Sequence, residues 1–85
     1  ANNAVFNDAD CTNANFKLAD LRGASFSNAT LYGTNFEGAR VHSVSLVGAK
    51  LNNIPSGMVD ISEKGDGSRL VPIAQWLSTT GIALP

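Results

Sequence analysis

Apolar residues stand at every fifth place from Phe6 to Leu51, with polar or turn-forming residues between them. The column reads Phe6, Cys11, Phe16, Leu21, Phe26, Leu31, Phe36, Val41, Leu46 and Leu51, and it forms the expected structural core. Two places before each lies a second column, Ala4, Ala9, Ala14, Ala19, Ala24, Ala29, Thr34, Ala39, Val44 and Ala49, in which alanine fills eight of ten positions. A period of five fits neither the 3.6 of a helix nor the 2 of a simple strand. The chain is an internal repeat.

Each unit reads as a short extended side followed by a corner. The small and the large apolar residue are two apart, the alternation of an extended chain. The next apolar residue comes three places later and would face the wrong way unless the backbone turned. The last place of each unit holds Asp8, Asn13, Leu18, Gly23, Asn28, Gly33, Gly38, Ser43, Gly48 and Asn53, eight of them Gly, Asn or Asp. Those residues tolerate the left-handed backbone of a tight corner. Phe6, Phe16, Phe26 and Phe36 recur every ten residues. An even number of sides stacks Phe on Phe, whereas three sides would set Phe26 over Cys11 and Phe36 over Leu21. Four sides, or twenty residues per coil, therefore fit best, and they place Lys17 beneath Glu37 and Asp20 beneath Arg40. Opposite charges on neighbouring rungs are compatible, though exposed pairs contribute little energy.

These units resemble the pentapeptide-repeat family, whose consensus is roughly Ala-Asp/Asn-Leu-X-X. The closest copies are Ala19-Asp20-Leu21-Arg22-Gly23 and Ala14-Asn15-Phe16-Lys17-Leu18, and the likeness covers residues 4 to 53 in ten consecutive units. The resemblance implies an all-β solenoid: a right-handed quadrilateral β-helix of about three coils, its narrow core lined by the central apolar residue and the preceding alanine. Thr34 and Val44 depart from the alanine column. A buried Thr34 requires a hydrogen-bond partner.

Beyond Asn53 the pattern weakens. Ile54-Pro55-Ser56-Gly57-Met58 is a poor copy, while Val59-Asp60-Ile61-Ser62-Glu63 returns to pattern, so the repeat domain is expected over 1–63. Residues 64–85 are expected to form a loop from Lys64 to Ser68, a short capping helix and a tail. Leu70, Ile73, Ala74 and Leu77 fall at helical spacing beside Trp76, with Pro72 in the first turn and Gly81 as a stop. The expected role is to cover the last coil and bury Trp76 and Leu77; the alternative makes the same apolar face a partner-docking site. At the other end, Ala1-Asn2-Asn3 reads as the close of a preceding unit with no visible cap. A bare solenoid end exposes backbone edges and core side chains. Phe6, Trp76 and Leu77 are accordingly the candidate partner contacts.

Composition narrows the function. The net charge of -1 and the 15% of charged residues suit neither a basic nucleic-acid binder nor a charged disordered segment. No apolar run approaches the length of a transmembrane segment. Cys11 is the one cysteine, so no intrachain disulfide is available, and its core position makes it a small buried hydrophobe. His42 sits at an outward place beside Ser43, but neighbours on an extended chain point apart, so no nucleophile and base converge. Asp60, Glu63 and Asp66 lack the order of a calcium loop, and Lys64 occupies a ligand place. No catalytic residue, metal site or cofactor is expected.

The reading that remains is a non-enzymatic structural or protein-interaction module. Its partner is expected at the N-terminal solenoid end or the C-terminal helix. The resemblance brings two further implications. Some pentapeptide-repeat proteins mimic duplex DNA and inhibit topoisomerases, but residues 1–53 carry Lys17, Arg22, Arg40 and Lys50 against Asp8, Asp10, Asp20 and Glu37, a balance of four against four. Phosphate mimicry demands dense negative charge. Short members are also common in cyanobacteria and thylakoid lumens, which implies peripheral association with a photosynthetic membrane complex. An enzyme of unknown type is the remote alternative.

Overall fold

Pairing between residues twenty apart organises the chain. In the computed structural model, which describes residues 3–80 and 82, parallel bridges join Val5 to Ser25 and Ser25 to Ser45, Asp10 to Thr30 and Thr30 to Lys50, Asn15 to Asn35, and Asp20 to Arg40 and Arg40 to Asp60. Ala1, Asn2 and Gly81, to which the pattern assigns a preceding unit and a helix stop, lie outside the described residues. Phe6 N–H donates to Ser25 C=O at 2.7 Å and Ser25 N–H to Ala4 C=O at 2.9 Å, and the same exchange recurs along the ladder.

Corners arise where the pattern places them. From Phe6 to Leu46 the C=O of each central residue accepts from the N–H three places on, as from Ala9 to Phe6 at 3.1 Å and from Ala24 to Leu21 at 2.9 Å. The third residue of each such turn has positive φ at nine corner positions, from Asp8 through Gly48. That is the turn geometry that favours Gly, Asn and Asp. Leu18 adopts it too, with φ 61, and is 70% exposed. Its side chain lies over Gly38, where an added Cβ would meet Leu18 Cδ2 at 2.6 Å. The Asp or Asn before several central residues accepts the N–H two places on, as Asn15 does from Lys17 and Asn35 from Glu37, each at 2.9 Å. These bonds fix the extended side before it turns.

The inward columns make the core. Leu21, Phe26, Leu31, Phe36, Val41 and Leu46 are all within 1% of complete burial; Cys11 is 7% exposed, and Phe6, Phe16 and Leu51 are half-buried. Burial of each such side chain contributes roughly 1.5–3 kcal/mol. Phe6 stacks on Phe26 with centroids 4.8 Å apart, and Phe16 on Phe36 at 5.6 Å. Thr34, 3% exposed, donates its hydroxyl to Cys11 C=O at 2.8 Å. Asp20 lies in the ladder with Arg40, but its carboxylate pairs with Arg22 at 2.7 Å. Among the described residues Lys17 and Glu37 form no ion pair. Glu37 instead lies across Gly57.

The C-terminal elements differ from the expected helix. β1 (Met58–Asp60) pairs antiparallel with β2 (Leu70–Pro72), and α1 spans only Ile73–Leu77. The helical spacing that begins at Leu70 thus describes a strand and then a helix. Pro72 has extended backbone, φ -58 and ψ 143, and stands before α1 rather than in its first turn. Pairing explains the change: Ile61 N–H donates to Arg69 C=O at 3.0 Å, and Ile73 N–H to Gly57 C=O at 3.1 Å. A helical first turn would leave such groups open.

Candidate functional site

At the Phe6 end the ladder stops with pairing groups facing outward. Among the described residues, the N–H and C=O groups of Val5, Asp10 and Asn15 have no hydrogen-bond partner. Their neighbours Ala4, Phe6, Ala9, Ala14 and Phe16 are partly buried and pack on the core, whereas their counterparts twenty residues on, Ala24, Phe26, Ala29, Thr34 and Phe36, are buried. This rim offers donors, acceptors and apolar surface in alternation, which is the chemistry of an unpaired strand edge. Phe6 belongs to it. Burial, with a smaller effect of the Asp10 charge, pushes the Cys11 thiol up, so the rim presents no thiolate.

At the opposite end the apolar core is covered. Trp76 meets Phe36 edge-on with centroids 5.7 Å apart, in the place that a further phenylalanine of the column would take. Trp76 and Leu77 are 5% and 1% exposed, so neither is a surface for a partner while α1 keeps this position. Pro72 lacks the N–H that would extend the sheet beyond β2, and α1 follows at once. The Arg22 guanidinium grips Asp20 through Nε at 2.8 Å and Nη2 at 2.7 Å, and reaches the C=O of Lys64 through Nη1 at 2.9 Å. The loop after β1 is thereby tied to the ladder.

Three carboxylates are held below their ordinary range there. The Arg22 guanidinium is the main cause for Asp20, and hydrogen bonds from Ser68 for Asp66. For Asp60, 3% exposed, burial pushes the carboxyl up, but bonds from Ser62 and the Gly67 N–H and the Arg40 charge outweigh it. Its oxygens accept Ser62 N–H at 2.9 Å and Gly67 N–H at 2.7 Å. They serve the loop, and among the described residues no group of three or more His, Cys, Asp or Glu could hold a metal ion.

Among the described residues reactive groups do not converge elsewhere. His42 is half-buried with Nδ1 3.4 Å from Ile61 C=O, beside a cleft of about 410 Å³ reached by Ser45, Trp76, Thr79 and Thr80. The Thr79 and Thr80 hydroxyls donate at 2.8 Å to Trp76 and Leu77 C=O. Among the described residues no carboxylate orients His42 and no hydroxyl is hydrogen-bonded to it. The feature missed in the sequence is a second cleft, beside Pro55 and Ser56, where the chain leaves the ladder. Its signal was present, because Ser56 stands at a central place and is exposed, and Ile54 at an alanine place is 45% exposed.

With this geometry the family comparison agrees. The chain matches the family described as Pentapeptide repeats (8 copies) over residues 2–38 and 15–54, well over half its length. It belongs to the pentapeptide-repeat family, and the repeat region is a β-helical solenoid of the kind those repeats form. Proteins of this family are generally non-enzymatic repeat proteins. No curated protein and no solved structure matches the chain significantly.

Proposed function

We propose that the chain is a protein-interaction module that engages its partner through the rim at residues 4–18. The proposal takes the repeat domain, 1–63, as a right-handed quadrilateral β-helix of about three coils and residues 64–85 as its cap and tail. The observation that carries it is the unpaired edge at Val5, Asp10 and Asn15 beside half-buried Phe6 and Phe16. A further rung laid on this edge, from more repeats or from a partner, pairs its backbone and covers the two rings. Duplex mimicry has no support in a repeat surface of four positive and four negative charges. Association with a photosynthetic membrane complex rests on family resemblance alone.

The test is a pull-down from the native source with mass analysis of what is retained, using the wild type, Val5→Pro and Ala74→Glu. Val5 is 71% exposed and Ala74 is exposed on α1, so both variants are expected to fold. Proline removes an N–H from the rim and blocks its edge. A partner lost with Val5→Pro and kept with Ala74→Glu supports the rim. The reverse pattern moves the contact to α1 and overturns the proposal.

A further inference from the structure

One side of the third coil does not follow the ladder. Lys50 pairs with Thr30 and Asp60 with Arg40, but no bridge joins Asn35 to Pro55. Pro55 has no N–H to offer the Thr34 C=O. Gly38 N–H reaches Met58 C=O at 2.6 Å, one residue beyond the place set by Leu18 and Glu37 in the preceding coil. Among the described residues the N–H groups of Gly33 and Phe36 and the C=O of Thr34 are left without partners, although Phe36 is 0% and Thr34 3% exposed. Buried backbone groups are nearly always paired.

The displaced segment stands across a cleft of about 300 Å³ lined by Gly33, Thr34, Glu37, Asn52, Pro55 and Ser56. That volume lies at the lower end of ligand sites. Glu37 is the one charged residue in the lining and has no ion-pair partner among the described residues. Asn35 Oδ1 accepts the Glu37 N–H at 2.9 Å, which holds the backbone there. The Glu37 stem fills the space where a side chain on residue 57 would lie: a Cβ on Gly57 would meet its Cγ at 3.1 Å.

We infer that this cleft binds a short extended peptide segment of a partner protein, carrying an arginine or lysine. The segment lies between the second coil and Pro55 as the missing rung, accepting from Gly33 N–H and donating to Thr34 C=O. Its cationic head group meets the Glu37 carboxylate, with Asn52 and Ser56 oxygens as further acceptors. The site is separate from the rim at residues 4–18 and does not depend on it.

The test is a titration of the nitrogen-15-labelled chain with the blocked peptide Ala-Arg-Ala, with its lysine and glutamine counterparts, and with argininamide. The arginine or lysine peptide is expected to produce saturable shifts at the Gly33 and Phe36 amides. The glutamine peptide, and the arginine peptide against Glu37→Gln, are expected to bind roughly fivefold or more weakly, allowing for an exposed carboxylate. Glu37 is exposed, and amide dispersion verifies that the variant is folded. The absence of shifts at the two amides overturns the inference, as does affinity unchanged by Glu37→Gln. Argininamide binding as tightly as the peptide overturns the added rung.

Discussion

The two ends of the solenoid are built from one repeat and finished differently. At the Phe6 end the outermost backbone groups face outward, and the phenylalanines of the first units are half-buried. At the other end Ile73, Trp76, Leu77 and Ile82 cover the core, and all four are buried. The repeat supplies identical rungs, so it cannot decide where the stack stops; a change of chemistry must do so. Ser56 at a central place and Pro55 at a pairing place release the chain from the ladder, and Trp76 then packs on Phe36. A solenoid therefore closes where its pattern fails.

Removing the seal should have the largest effect. Trp76→Ala is expected to cost about 3–5 kcal/mol, enough to unfold much of a small domain, whereas Phe6→Ala at the half-buried rim should cost less than half as much. Denaturant midpoints measured on both variants check this, and equal losses would break the contrast between the ends. Next comes the alanine column. Ala29, 0% exposed, has no room for growth, and Ala29→Leu should destabilise by about 1–3 kcal/mol. Ala9→Leu, at the partly buried rim, should be close to neutral in the same urea titration.

The smallest effect is acid sensitivity around Arg22 and the loop after β1. Asp20, Asp60 and Asp66 all titrate below the ordinary carboxylate value of 3.8 in the folded chain. A depressed folded pKa gives stability that is full above the unfolded value and is lost as pH falls through the folded values. The melting temperature should thus hold steady from pH 7 to about 5 and fall below about 4. Asp60→Asn should flatten that acid limb, and an unchanged limb would remove Asp60 from the account.

Much of the solenoid was legible because one physical demand recurs in every unit. A side chain of fixed size must enter the core every fifth place, and a left-handed corner must follow, so Phe26, Ala29 and Gly33 each state their position. The cap was harder to read. Leu70 to Leu77 satisfy helical spacing, yet Leu70–Pro72 become β2 because β1 offers a free edge, and that edge exists only after folding. Asp20 and Arg40 face each other in the ladder as the spacing implies, but the carboxylate turns to Arg22, whose fork also reaches the Lys64 C=O. Side-chain choice among nearby partners is not written in a period. The cleft beside Pro55 was written in Ser56 and Pro55, as a breach of pattern rather than a motif.

Native-state amide hydrogen exchange on the free chain tests the openness of the Phe6 end most directly. The N–H groups of Ser45, Lys50 and Asp60 donate to Ala24, Ala29 and Ala39 C=O at 3.0, 2.9 and 2.9 Å, whereas those of Val5, Asp10 and Asn15 have no acceptor among the described residues. The account predicts exchange orders of magnitude faster at Val5, Asp10 and Asn15 than at Ser45, Lys50 and Asp60. Equal protection of the two sets would contradict it, because the outward-facing N–H groups of the Phe6 end would then be covered like those inside the ladder.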